Sequence, residues 1–236
     1  MEIPPLSDAD VGAAAKRLLI ECFGSASPSL PIDIDEIVYE FLYGRDTLRF
    51  SDDEDLGVDP GGNEILGEMR PKSGRIRLTS RLQRQTLGRY RFTAAHEIGH
   101  WILHRPYLLA SLEEPSLFAQ PREEGTLVTY RHSLGESSGS RTNRAERQAN
   151  KFAVRLLADP VALRTQLVER FDSPLLYREH APDDLGGANV DDFAARVAGA
   201  RIRGMMPLKD VFGLSNQAIA IALKENGFVA ESRPLL

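Results

Sequence analysis

The sequence predicts a mixed α+β fold, one sizeable domain followed by a small helical region, and three observations carry that prediction. Residues 64–69 and 75–79 read as two short strands joined by the turn Pro71-Lys72-Ser73-Gly74, which makes a hairpin. Soon afterwards Phe92, Ala95, Ile98, Trp101, Ile102 and Leu103 give the chain the apolar content of a buried helix. Helical periodicity then dominates the rest. A chain of 236 residues has room for one real core and an appendage.

Taken in order, Ser7 is placed to cap a helix running to about residue 23, with Val11, Ala15, Leu18, Leu19 and Cys22 on one face. Residues 24–31 are a breaker-rich link. Asp33, with Glu36 three residues on, starts a second helix through Phe41 in the manner of a capping box. Residues 48–50 form a strand. The acidic run Asp52-Asp53-Glu54-Asp55 reads as a solvated loop, because its oxygens do not recur at the spacing of a calcium loop. After the hairpin and the buried helix, residues 127–132 hold another short strand, and 134–140 are a polar run. Residues 144–157 form a helix with Ala145, Ala149, Phe152, Ala153, Leu156 and Leu157 on one face. Residues 161–171 continue helically, 172–189 read as a loop or boundary, and 190–203 return to helical spacing. Finally, residues 208–223 have the helix, glycine turn, serine cap and second helix of a helix-turn-helix.

The chemistry concentrates in His96-Glu97-Ile98-Gly99-His100. Two histidines four apart on a helix project from one face, so both imidazoles can reach a single ion. The intervening Glu97 is placed to act as general base towards water activated by that ion. His104 continues the row, but a rise of ~1.5 Å per residue puts it ~12 Å from His96 along a straight helix. A third histidine ligand also needs a glycine-made turn that this sequence lacks. His104 is therefore assigned to packing or to supporting a ligand.

The third ligand is expected from the later helix. Glu146 and Asn150 are four apart and flank its apolar face, so both can point towards the histidine helix. Glu146 completes a two-histidine, one-carboxylate set that suits zinc, although ligand identity alone also admits manganese or iron. Asn150 is placed to hydrogen-bond the free ring nitrogen of a ligand histidine. Without the upstream motif, Glu146 would read as a solvated charge paired with Arg144 or Arg147.

At these residues the chain resembles the ImmA/IrrE metallopeptidases. Residues 91–104, Arg-Phe-Thr-Ala-Ala-His-Glu-Ile-Gly-His-Trp-Ile-Leu-His, are similar to the family signature R-F-T-x-A-H-E-x-G-H-x-x-x-H, and residues 146–153 to its second motif, E-x-x-A-N-x-F-A. Weaker similarities lie at Leu30-Pro31-Ile32-Asp33-Ile34 and at Gly213-Leu214-Ser215-Asn216-Gln217-Ala218. The resemblance implies a zincin-like metallopeptidase core over residues 1–175, with a helical region over 190–236. It implies His96, His100 and Glu146 as ligands and Glu97 as catalyst. It further implies a helix-turn-helix transcriptional repressor as substrate, cleaved to release stress, phage or mobile-element genes.

The chain departs from the family pattern between residues 106 and 142, where the connection is longer. A loop of this length in a compact domain points to function or disorder, and the expectation is a flap beside the cleft. Tyr130 or His132 there could donate to a tetrahedral oxyanion, or both simply decorate a loop. The strand at 75–79, lying just before the histidine helix, is expected to take up an extended peptide by strand addition.

Composition narrows the setting. One cysteine, Cys22, excludes an internal disulfide and sits among Leu18, Leu19 and Phe23 as a core residue. No apolar run approaches the ~20 residues of a membrane span, and the N-terminus lacks a charged-then-apolar signal peptide. The expected location is the cytoplasm. A net charge of −5 gives no general electrostatic reason to bind nucleic acid. The terminal region from 190 to 236 has six Lys/Arg against five Asp/Glu, and its second helix offers only Asn216, Gln217 and Lys224. That is thin for phosphate contacts, so DNA binding is the rival reading. A metal-binding regulator with little hydrolysis is the other; an intact Glu97 weighs against it.

Overall fold

The first helix begins where its cap demands. Ser7 Oγ accepts the Asp10 N–H at 3.2 Å, while the Asp10 carboxylate accepts the Ser7 N–H at 3.0 Å, a reciprocal capping box. Helix α1 (Asp8–Phe23) then runs until Gly24 adopts φ 67° and closes it on the Ile20 carbonyl. Val11, Ala15, Leu18 and Leu19 are buried as expected, whereas Cys22 is only half-buried. These positions belong to a computed structural model that describes residues 3–46, 48–59, 61–113, 127–130 and 141–233.

The chain divides into two compact units, 1–26 with 33–156, and 27–32 with 157–236. In the first unit Asp33 caps as expected, its Oδ1 accepting the N–H groups of Asp35 and Glu36 at 3.0 and 3.1 Å. The body that follows differs from an ordinary helix. Glu36–Leu42 is a π-helix, continued by α2 (Tyr43–Asp46). Its wide turn brings Ile37 and Leu42, five apart and both fully buried, to the same face.

Strands β1 (Arg49–Glu54), β2 (Ile65–Arg70) and β3 (Arg75–Thr79) follow. β2 and β3 make the expected antiparallel hairpin, with Gly67 opposite Leu78 and Arg70 opposite Arg75. β1 lies parallel to β3 on its other side. The acidic run is therefore not a loop, since Asp52, Asp53 and Glu54 are in β1. A cross-strand charge ladder explains this: Arg77 of β3 reaches Glu54 of β1 at 2.5 Å and also pairs with Glu68 of β2, which takes Arg70 at 2.8 Å. The face turned to the helices carries Met69, Ile76 and Leu78, all fully buried.

Against the sheet comes the helical layer. α3 (Arg81–Gln85) leads into α4 (Leu87–Leu103), capped by Thr86 and packed on β2 and β3. α5 (Arg105–Glu113) follows, then β4 (Leu127–Tyr130), which pairs antiparallel with β2. The described sheet order is thus β1-β3-β2-β4. This corrects the strand-addition expectation: both edges of β3 are taken by β1 and β2, so it has no free main-chain groups for a peptide. α6 (Arg141–Leu157) completes the layer, with Ala145, Ala149, Phe152, Ala153 and Leu156 buried.

The second unit opens on α7 (Pro160–Phe171), capped by Asp159 with Pro160 in its first turn. β5 (Leu176–Tyr177), a turn of 3₁₀ helix at Arg178–His180 and α8 (Asp183–Gly186) occupy the stretch expected to be loop. α9 (Val190–Gly199) and α10 (Leu208–Phe212) precede α11 (Asn216–Glu225), and β6 (Val229–Ala230) returns to pair with β5. Gly213 at φ 62° turns the chain between α10 and α11, and Ser215 caps α11. Phe193, Val197, Phe212, Ile219 and Leu223 form the core of this unit. Among the described residues no helix is long and apolar enough to cross a membrane.

Candidate metal centre

α4 buries almost everything it carries from Ala94 to Trp101, so its polar residues must find partners inside the protein. His96 and His100 lie one turn apart with ring centroids 4.7 Å from each other. Their Nε2 atoms are 3.0 Å apart. From α6, Glu146 places Oε2 3.2 Å from His96 Nε2 and Oε1 3.3 Å from His100 Nε2. Two imidazoles and one carboxylate thus converge on a point, with all three donor atoms within 4.8 Å of one another.

The spacing is that of a shared ion. Bonds of 2.0–2.1 Å at tetrahedral angles separate donor atoms by roughly 3.3 Å, close to the observed 3.0, 3.2 and 3.3 Å. The donors are also those of such a site. Glu146 Oε1 is buried without a well-aligned hydrogen-bond donor, despite the imidazole 3.3 Å away. Burial pushes its carboxyl up, but the His100 and His96 imidazoles outweigh burial and hold it far below the usual carboxylate range. Burial lowers the His100 imidazole. Burial acts on His96 in the same sense, but Glu146 and then Glu97 overcome it and raise that imidazole. The residues fit a divalent ion.

Two glycines allow the convergence. A side chain at Gly99 would sit 3.2 Å from Ala149 Cα and from Phe152 Cβ, so α4 and α6 approach closely where Glu146 must reach across. A Cβ at Gly67 would lie 2.6 Å from Glu97 Oε1. The bare backbone of β2 therefore leaves room for the Glu97 carboxylate, which is fully buried beside the centre. Gly99 is the glycine of the signature over residues 91–104, whereas no motif marks Gly67. Gly99 carries a physical signal as well, since a glycine inside a helix costs about 1 kcal/mol against alanine and implies a packing reason.

Asn150 Oδ1 lies 2.9 Å from His96 Nδ1, the ring nitrogen turned away from the centre. His104 is fully buried, with Nδ1 2.9 Å from His100 Nδ1 and Nε2 3.0 Å from Gln148 Oε1. Both its nitrogens are engaged, so it supports His100 and does not ligate. Burial, followed by the His100 charge, lowers its imidazole to about 4. Gln148 in turn donates to the Pro4 carbonyl at 3.1 Å. Nothing in the sequence marks Gln148, which lies on the buried face of α6 and looks like an ordinary helix amide.

Tyr130 is the last residue of β4, aligned with Ile65 of β2. His132 lies outside the described residues, as does the polar run 134–140. At the start of α4, the Tyr90 hydroxyl stands 3.0 Å from Asp52 Oδ2 and 3.2 Å from Asp35 Oδ1, joining α4 to β1 and to the residue before the π-helix. Burial and then the Asp35 and Asp52 charges raise the Tyr90 phenol.

In comparisons with known proteins, no family model and no curated protein matches this chain.

Proposed function

We propose that this chain is an intracellular metal-dependent endopeptidase with a zincin-like core, of the kind its resemblance to the ImmA/IrrE metallopeptidases implies. The observation that carries the reading is the convergence of His96, His100 and Glu146, with the buried carboxylate of Glu97 on the same helix between the two histidines. A structural site for an ion has no need of a base there.

His96, His100 and Glu146 would hold the ion, with zinc the best match to two imidazoles and one carboxylate and manganese or iron compatible with the same donors. A divalent ion held there would supply Lewis acidity to a peptide carbonyl and to water. Glu97 would take a proton from the attacking water and deliver it to the departing amine. Asn150 steadies the His96 ring, and Gly67 keeps space for the Glu97 carboxylate. The substrate we propose is a helix-turn-helix transcriptional repressor, whose cleavage in the cytoplasm would release stress, phage or mobile-element genes.

The test pairs metal content with cleavage. Wild type and Glu97→Gln are purified, their zinc, manganese and iron are quantified, and each is incubated with a purified helix-turn-helix repressor. The expected result is about one ion per chain in both and cleavage by wild type alone. Wild-type cleavage by Glu97→Gln would overturn the role of Glu97, and absence of metal from both would overturn the ligand set. Metal in both with cleavage in neither would point instead to a regulator acting through protein contacts. DNA binding that tracks Asn216 and Gln217 and falls steeply with salt would favour the rival reading.

A further inference from the structure

The geometry points to His104, Gln148 and the Pro4 carbonyl as a one-way hydrogen-bond relay that fixes the tautomer of His100, so that its Nε2 lone pair faces the ion. This rests on the metal-centre reading and adds a positioning function for residues outside the ligand set.

The polarity follows from the far end. The Pro4 carbonyl can only accept, so the Gln148 amide turns its nitrogen to it, at 3.1 Å. That leaves Gln148 Oε1 facing His104 Nε2 at 3.0 Å, and an amide oxygen can only accept as well. His104 Nε2 therefore carries the hydrogen. In a neutral ring its Nδ1 is then bare, and it stands 2.9 Å from His100 Nδ1, which must donate. His100 is left with an unprotonated Nε2, the atom 3.3 Å from Glu146 Oε1 and 3.0 Å from His96 Nε2. Because the relay ends on a main-chain carbonyl, it cannot reverse by rotating a terminal group. His104 and Gln148 are both buried, at 0% and 5% exposure, so water does not compete along the way.

The anchor is itself held. Arg144 donates to the Ile3 carbonyl at 3.1 Å, and Lys151 meets Asp8 at 2.5 Å, so residues 3–8 lie along α6 over two turns. The helix that presents Glu146 and Asn150 thereby also presents Gln148, and the N-terminal segment sets its direction of donation.

The experiment uses the full chain as wild type, Gln148→Leu and Gln148→Met. Nitrogen-15 imidazole spectra of the metal-free proteins report the His100 tautomer, and zinc affinity is measured by competition with a chelator. Wild type should show His100 protonated on Nδ1. Gln148→Leu removes the acceptor, frees His104 to carry its hydrogen on Nδ1, and should shift His100 towards the Nε2-protonated form. Its zinc affinity should fall about 10–100-fold, the usual effect of removing a group that orients a ligand. Gln148→Met keeps the length of the side chain without its acceptor and should shift the His100 tautomer as Gln148→Leu does, which separates the relay from a general packing defect. An unchanged His100 tautomer in Gln148→Leu, or Nε2 protonation in wild type, would overturn the proposal. A wild type with the expected tautomer but no zinc binding would support the relay and overturn the metal reading.

Discussion

Gly67 and Glu97 form a pair in which the smaller residue decides where the larger one can be. The carboxylate of Glu97 occupies the space a Gly67 side chain would need, 2.6 Å from the position of its Cβ. In Gly67→Ala the methyl must push the carboxylate aside, and a displacement of ~1 Å can cost 10²-fold in rate. The expected outcome is a kcat about 100-fold lower with unchanged metal content, read by single-turnover cleavage and metal analysis. A kcat equal to wild type would mean that the position of Glu97 does not govern the reaction. Cys22 gives a second prediction at this scale. Burial, reinforced by the Glu36 and Asp33 charges, pushes its thiol up to about 11. The thiol stays protonated below that value, and only the thiolate reacts. Alkylation by iodoacetamide at pH 8 should be about 100-fold slower than for an unperturbed cysteine and should rise with pH towards 11. Fast alkylation at pH 8 would show the thiol to be unperturbed.

At the scale of elements, α4 and α6 carry the site, and their contact depends on Gly99. Ala149 Cα and Phe152 Cβ both lie 3.2 Å from where a Cβ would stand, and a helix backbone cannot yield as a side-chain tip can. Gly99→Val should therefore overpack the contact and cost about 1–3 kcal/mol of stability. Urea unfolding measures this, and a stability equal to wild type would show that the helices can part without loss. The two helices were legible in the sequence because their candidate ligands and apolar faces are local features with helical spacing, whereas the Thr86 cap of α4 was not. Glu146 and Asn150 were legible because a two-histidine motif demands a third donor on a facing helix. The strands were harder. The acidic run from Asp52 to Glu54 looks like a solvated loop by composition, and only Arg77 on the neighbouring strand makes it a strand. Likewise, Arg75 to Thr79 reads as a strand from its own residues, but whether it is an edge depends on β1, whose paired residues come 25–26 positions earlier.

For the whole molecule, a bound ion stabilises the folded state by mass action, about 4 kcal/mol at a free concentration 1,000 times its dissociation constant. Its removal should be felt where the ligands are. Chelation is expected to speed amide hydrogen exchange in α4 and α6 and to leave α9 and α11, which hold none of the ligands, at their original protection. Equal loss of protection in all four helices, or in none, would contradict an ion held by His96, His100 and Glu146. The amino-acid sequence by itself determined the α+β class, the helices with their caps and the residues fit to hold an ion, because these follow from periodicity and from donor types a few positions apart. Only the tertiary structure decided the sheet order, the need for glycine at 67 and 99, and the path from His100 through His104 and Gln148 to Pro4. Those depend on which distant atoms come within a hydrogen bond or a van der Waals radius of each other, and no local pattern encodes that distance.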